Sequence, residues 1–161
     1  MNALVIYESQ FGNTEQLARA IAQALGEYGP VRLELVGKAG HAMLEGMDLL
    51  VLGSPTQFHE ATPEMLAWLD HLPPQILDGM PIALFDTRYH TSKLFTGSAA
   101  DVIGKEVRKR GGRLIVPPES FFVTGREGPL EAGEVERAAS WANTLLEILG
   151  HQQRREQTRL T

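Results

Sequence analysis

Cysteine is absent from the 161 residues. That excludes disulfides, thiol catalysis and cysteine-held iron–sulfur clusters, and it fits a reducing compartment, so a cytoplasmic protein is expected. No apolar run is long enough to cross a bilayer, and the first residues lack the basic region and apolar core of a signal peptide; no membrane partner is expected. An excess of positive charge is missing as well. The formal net charge is −5, and −7 for the body to Gly150 once Arg154, Arg155, Glu156 and Arg159 are set aside, which speaks against nucleic acid as a partner. Neither Lys nor Arg occurs between Glu8 and Thr14, and that stretch has neither the Walker lysine nor the three-glycine dinucleotide fingerprint. A nucleoside triphosphate would want that lysine or a metal. A single terminal phosphate can be held by amides and hydroxyls.

What is present at that point is a strand-to-helix turn. The apolar run Ala3–Tyr7 leads into Glu8-Ser9-Gln10-Phe11-Gly12-Asn13-Thr14, and a helical pattern follows with Leu17, Ile21, Ala24 and Leu25 on one face. A turn so placed aims backbone N–H groups and the positive end of the helix dipole at any anion there. Gly12 permits close approach, and Ser9, Asn13 and Thr14 add side-chain hydrogen-bonding groups. The simpler reading makes Asn13 or Thr14 an ordinary helix cap.

The remaining strands read in the same way. Val31–Val36 alternates as a half-exposed edge strand does, a short helical turn lies near Ala42–Leu44, and Asp48–Gly53 is apolar through its middle like a strand covered on both faces. A helix is expected over Pro63–Leu72, a covered strand over Pro81–Asp86, a helix from about Ser98, a last strand over Arg113–Val116 stopped by Pro117-Pro118, and a closing helix over about Gly133–Leu149. Three covered strands and two edges suit an α/β fold with a doubly wound, five-stranded parallel sheet in the order 2-1-3-4-5. One domain over residues 1–150 and a polar, frayed tail over 151–161 are expected.

In that order the sheet reverses between the first and third strands. The ligand crevice then lies above their C-terminal ends, where the loops Glu8–Asn13, Ser54–Thr62 and Thr87–Thr96 meet. Phe58 and Tyr89 stand near the starts of the second and third loops, and a flat heterocycle between them would bury both. Either ring could instead pack on a neighbouring loop. His59 and His90 read as solvent-facing, His59-Glu60 with Glu64 matches no standard metal spacing, and Ser54 lacks the glycines of a nucleophile elbow, so no metal and no catalytic residue are assigned. On the closing helix Trp141 and Ile148 share a line off the main apolar stripe. That surplus calls for cover by the tail or a subunit contact, and a homodimer is the expectation drawn.

Ser9-Gln10-Phe11-Gly12-Asn13-Thr14 resembles the phosphate loop of flavodoxins, and Gly53-Ser54-Pro55-Thr56 resembles their second flavin loop. The stretch Gly53–Asp70 also resembles flavodoxin-like NAD(P)H:quinone reductases. The strand order is flavodoxin's own, FMN site included, so the resemblance rather than spacing names the cofactor. It implies that Ser9, Gln10, Gly12, Asn13 and Thr14 hold the FMN phosphate, with Phe11 where many flavodoxins have a hydroxyl. Pro55, Thr56, Gln57 and Phe58 would line the isoalloxazine, Tyr89 would stack on it, and Thr87, Arg88 and His59 would sit beside it. None of Gln57, Phe58, His59 and Glu60 is the glycine whose peptide flips in flavodoxins, and a positive φ at any of them would cost about 1 kcal/mol or more. The expected function is electron transfer through non-covalently bound FMN, with a redox protein or small-molecule donor or acceptor as partner. The alternatives are a quinone reductase of the same fold and a flavin-free regulatory module, though the third strand ends in Gly53-Ser54 where a receiver domain wants an aspartate.

Overall fold

In the computed structural model, which describes residues 1–160, alternating apolar stretches become strands with helices on both faces. The elements are β1 (Ala3–Tyr7), α1 (Asn13–Gly26), β2 (Val31–Leu35), β3 (Leu49–Pro55), α2 (Pro63–Asp70), β4 (Pro81–Tyr89), α3 (Lys93–Thr96), α4 (Ala99–Lys109), β5 (Arg113–Leu114), β6 (Glu119–Val123) and α5 (Glu134–Arg159). All strand pairs are parallel, in the order β2-β1-β3-β4-β5, and β6 also pairs with β4. The expected order therefore stands.

Because successive side chains on a strand point to opposite faces, each central strand feeds two cores. Ala3, Val5, Tyr7, Leu49, Val51, Ala83 and Phe85 meet Leu17, Ile21 and Leu25 of α1 and Ala138, Trp141 and Leu145 of α5. Leu4, Ile6, Leu50, Leu52, Ile82 and Leu84 meet Met65 and Leu69 of α2 and Ile103 and Val107 of α4. Each such large side chain contributes about 1.5–3 kcal/mol by leaving water, before the entropy of ordering it is set against that. The strands read as covered are the ones that carry both cores.

Several features differ from the sequence expectation, and the continued last strand links three of them. The prolines do interrupt the last strand, but only between Leu114 and Glu119: β5 pairs with the start of β4, and β6 resumes on its far half, from Phe85↔Glu119 to Tyr89↔Val123. Given that partner, β4 extends past Asp86, so Thr87, Arg88 and Tyr89 stand on a strand rather than in a loop. Phe121 of β6 is fully buried and meets Trp141 edge-on, ring centroids 6.1 Å apart, as does Phe85. Trp141 is thus part of the core and Ile148 is half-buried, which removes the apolar surplus behind the homodimer expectation. Finally, α5 continues to Arg159, so the tail is exposed and polar but helical rather than frayed. The short α3, capped by the Ser92 hydroxyl accepting from Leu94 N–H, has no counterpart in the expectation.

Gly53, paired with Tyr7 and Phe85, has a glycine's lack of side chain as its packing requirement. A Cβ there would lie 2.1 Å from the Phe85 ring. Gly53→Ala should cost about 1–3 kcal/mol in chemical denaturation. With Phe85→Leu in the same chain the loss should be smaller than the two single losses added together. A Gly53→Ala protein as stable as the parent would show that the ring is not fixed by this contact.

Candidate functional site

The turn between β1 and α1 is built by one hydroxyl. Ser9 Oγ accepts from the N–H of Gly12 (3.1 Å) and of Glu15 (3.2 Å), while Glu8 Oε1 takes the N–H of Ser9 (3.0 Å). Gly12 sits at φ 89°, a left-handed position where a side chain would be strained although space for one exists. Gly12, at the N-cap of α1, has no side chain to offer, and Ser9 Oγ takes only the Glu15 N–H of the first turn. Neither Asn13 nor Thr14 does what the simpler reading asked of it. The Thr14 hydroxyl shares a hydrogen bond with that of Thr87 (3.2 Å), and Asn13 Nδ2 donates to the Glu127 carbonyl (3.2 Å). Among the described residues, the N–H groups of Gln10, Phe11, Asn13 and Thr14 meet no protein acceptor. Helix geometry turns such first-turn donors outward along the axis.

The loop after β3 begins as a two-residue hairpin. Gln57 and Glu60 exchange backbone hydrogen bonds (2.9 and 2.8 Å), and the residues between them, Phe58 and His59, have φ of 49° and 68°. The left-handed conformation that sequence reasoning charged against these residues is therefore adopted twice. Gly97 holds it in place: His59 bridges to Gly97, whose own Cβ would collide with the His59 backbone at 2.5 Å. Thr56 N–H donates to the Thr87 carbonyl (2.9 Å), Thr56 Oγ1 accepts from Ala99 N–H (3.1 Å), and Gln57 Nε2 donates to Gln10 Oε1 (2.6 Å). The three loops are thereby tied to one another.

They enclose a cavity of about 580 Å³, within the usual range of small-molecule sites. Ser9, Gln10, Phe11, Asn13, Thr14, Pro55, Thr56, Gln57, Phe58, His59, Thr87, Arg88 and Tyr89 line it; Gly12, the remaining sequence candidate, shapes the turn without lining the cavity. Phe58 is 96% exposed, so its ring is not packed on a neighbouring loop, and Tyr89, at 46%, is partly open. Arg88 lines the wall, yet its guanidinium is engaged: Nε donates to Ser120 Oγ (2.9 Å), and Nη1 to the carbonyls of Thr91 (2.6 Å) and Tyr89 (3.4 Å) and to Thr96 Oγ1 (3.4 Å). His90 does not line the cavity; it stacks on Phe122 (3.9 Å, 5°) and pairs with Glu131.

Phe95, Thr96, Val123 and Arg126 also line the cavity and were not sequence candidates. Val123 needed β6 to be seen. The exposed pair Leu94-Phe95 in an otherwise polar loop was a usable signal for Phe95. Arg126 lies in the Gly125–Leu130 segment, which the sequence order places after the last strand on the crevice side without assigning it a role.

Beneath the loops lies Asp86, inaccessible to solvent. Its Oδ2 accepts from Ser98 Oγ (2.5 Å) and Ala100 N–H (3.0 Å) at the start of α4, and Oδ1 is buried without a partner among the described residues. Burial pushes this carboxyl above its ordinary value; the Ser98 and Ala100 hydrogen bonds, the nearby Ser120 hydroxyl and the Arg88 charge offset only part of that.

The Flavodoxin family model matches residues 5–141. Among curated proteins none matches the sequence significantly. Solved structures similar to the chain include oxidised flavodoxin 2 from Bacillus cereus, with 24% identity, TM-score 0.77, and 91% of this chain and 99% of that chain covered. Two-electron reduced flavodoxin from Megasphaera elsdenii is similar at 22% identity and TM-score 0.68, covering 87% and 97%. A flavodoxin, WrbA-like protein from Agrobacterium tumefaciens has 17% identity and TM-score 0.72, covering 93% and 98%. At these identities the structures establish the shared fold.

Asp86 gives the site a pH signature. A carboxyl whose folded pKa is raised adds stability that is complete below its unfolded value, near 3.8, and is lost as pH rises through the folded value. Asp86→Asn cannot ionise, so its melting temperature relative to the parent should climb as pH is raised from about 4 towards 8. A difference between the two that stays flat across that interval would contradict the burial penalty.

Proposed function

The chain belongs to the flavodoxin family, binds FMN and transfers electrons through it, and we propose here which of its residues carry the cofactor. The supporting observation is the row of outward N–H groups at the start of α1, lining the same cavity as two exposed aromatic side chains, Phe58 and Tyr89. The residues present fit FMN. A terminal phosphate would be taken by the N–H groups of Gln10, Phe11, Asn13 and Thr14, with the Ser9 hydroxyl donating its proton, since its oxygen already accepts twice. A planar ring system would lie between Phe58 and Tyr89, edged by Pro55, Thr56, Gln57 and His59.

When bound, the isoalloxazine supplies reversible electron uptake and release; the chain supplies orientation, access and electrostatics. The interlocked loops keep the cavity shaped before the ligand arrives, which lowers the ordering cost of binding. Thr87 and Arg88 line the wall, and their hydrogen bonds to Thr14, Ser120 and Thr91 fix it. The exposed rim leaves one edge of the site open to a redox protein or a small-molecule donor or acceptor. The binding unit in this reading is residues 1–150, with residues 151–161 a polar tail. No helix among the described residues is long and apolar enough to cross a membrane. We assign the protein to the cytoplasm on its cysteine-free composition.

The purified protein should be yellow or should take up one FMN, and Tyr89→Ala should weaken FMN and riboflavin alike, by about two- to tenfold, because both share the ring system. A protein that stays colourless and ignores FMN in a fluorescence titration would overturn the function. Loss of FMN binding alone in Tyr89→Ala would overturn the stacking role.

A further inference from the structure

Resting on the FMN reading above, we propose that Arg126 is the residue that makes the site selective for a phosphorylated flavin, acting as a cation held over the phosphate loop by Asn13. A phosphate monoester brings about −1.5 to −2 charges at pH 7, and a helix N-terminus answers it with roughly +0.5. The turn itself adds no cation, and Glu8 and Glu15 flank it. Glu15 is held ionised, its carboxyl lowered by the Tyr7 hydroxyl and by Arg19. A cation on the cavity wall would add to what the amides and hydroxyls of the turn supply.

Two arginines line that wall, and their surroundings differ. Arg88 spends its guanidinium on Ser120, Tyr89, Thr91 and Thr96 and lies 5.1 Å over the Phe122 ring. Arg126 is exposed and, among the described residues, has no ion pair and no hydrogen bond from its side chain. Its backbone, by contrast, is placed. Gly128 N–H donates to the Gly125 carbonyl (3.1 Å), closing a turn around Arg126 and Glu127, and Thr124 donates from both N–H and Oγ1 to the Pro129 carbonyl (2.9 and 3.0 Å). Asn13, the first residue of α1, donates to the carbonyl of Glu127, next to Arg126 (3.2 Å). Gly128 lies so close to the Asn13 carboxamide that a Cβ would come within 2.5 Å of Asn13 Oδ1. One residue of the phosphate loop therefore sets the position of the turn that presents the free guanidinium. An arginine so placed matches phosphate oxygens in its planar, forked geometry.

The test uses apoprotein titrated with FMN and with riboflavin by flavin fluorescence, at low and high salt. Arg126→Gln should weaken FMN by about tenfold while riboflavin changes less than about twofold, and the salt dependence of FMN binding should become shallower. Arg126→Lys should restore part of the loss. Gly128→Ala keeps the arginine but displaces its turn from Asn13, and it should lower the FMN-to-riboflavin preference in the same direction. An unchanged preference in Arg126→Gln, or equal losses for the two flavins, overturns this inference alone. A parent protein that binds neither flavin overturns the FMN reading and this inference with it.

Discussion

Helix α1 begins at a glycine that has no side chain to cap it, and the backbone donors left free there are the constraint around which the site is arranged. A helix start needs acceptors for its first N–H groups, and most proteins supply one from the chain itself. Here the one hydroxyl in capping position, Ser9, is used to fold the turn by taking the N–H groups of Gly12 and Glu15. The next donors are turned towards the cavity. Open to water they cost little; under a covering ligand each must find an acceptor or lose about 1–3 kcal/mol. The turn thus selects a ligand that ends in several acceptor oxygens.

The same economy governs the other loops, which hold one another in conformations none would keep alone. Phe58 and His59 at positive φ are strained by about 1–3 kcal/mol each. That strain is offset by the reciprocal Gln57–Glu60 bonds, by the bridge from His59 to Gly97, and by Thr56 joining β4 and α4. Gly97 is needed twice over, for its φ of 67° and for its contact with His59. Asp86 anchors the beginning of α4, and through Ser98 it fixes the end of the loop that carries Gly97. Burying a carboxyl raises its pKa, and the site accepts that penalty in return for a defined loop.

The parts legible in the sequence were those with a period. Apolar continuity in Ala3–Tyr7 and in the third and fourth strands located β1, β3 and β4, alternation in Val31–Val36 located β2, and the order of covered and edge strands located the switch point. Once that point was known, the three loops above it gave nearly the whole cavity lining. Sequence reasoning failed where one local signal hid another. Pro117-Pro118 read as the end of the sheet, although Ser120–Val123 beyond it carries aromatic and β-branched residues that suit a strand. Without β6, β4 is shortened, Val123 is hidden and Trp141 has no Phe121 to pack on, so its cover is sought in the tail or a second subunit rather than in the core. The left-handed hairpin was invisible for a different reason. Neither Phe58 nor His59 has an intrinsic preference for positive φ, and the Gln57–Glu60 bonds together with the tertiary contact with Gly97 select it.

An acidic chain that binds an anion also has to recognise it against its own field. With a net charge of −5, long-range electrostatics repel phosphate rather than steer it, so attraction must be local and directional. Backbone N–H groups meet that need, because they carry fixed partial charges, cannot swing away, and draw no counterion of their own. Lysine in the loop would have attracted any nucleotide. A single arginine on a separate turn, coupled to the loop through Asn13, adds charge only where the donors already define the geometry. Selectivity then follows from the coincidence of two coupled elements: a helix start that recognises oxygen positions, and a guanidinium that recognises their charge.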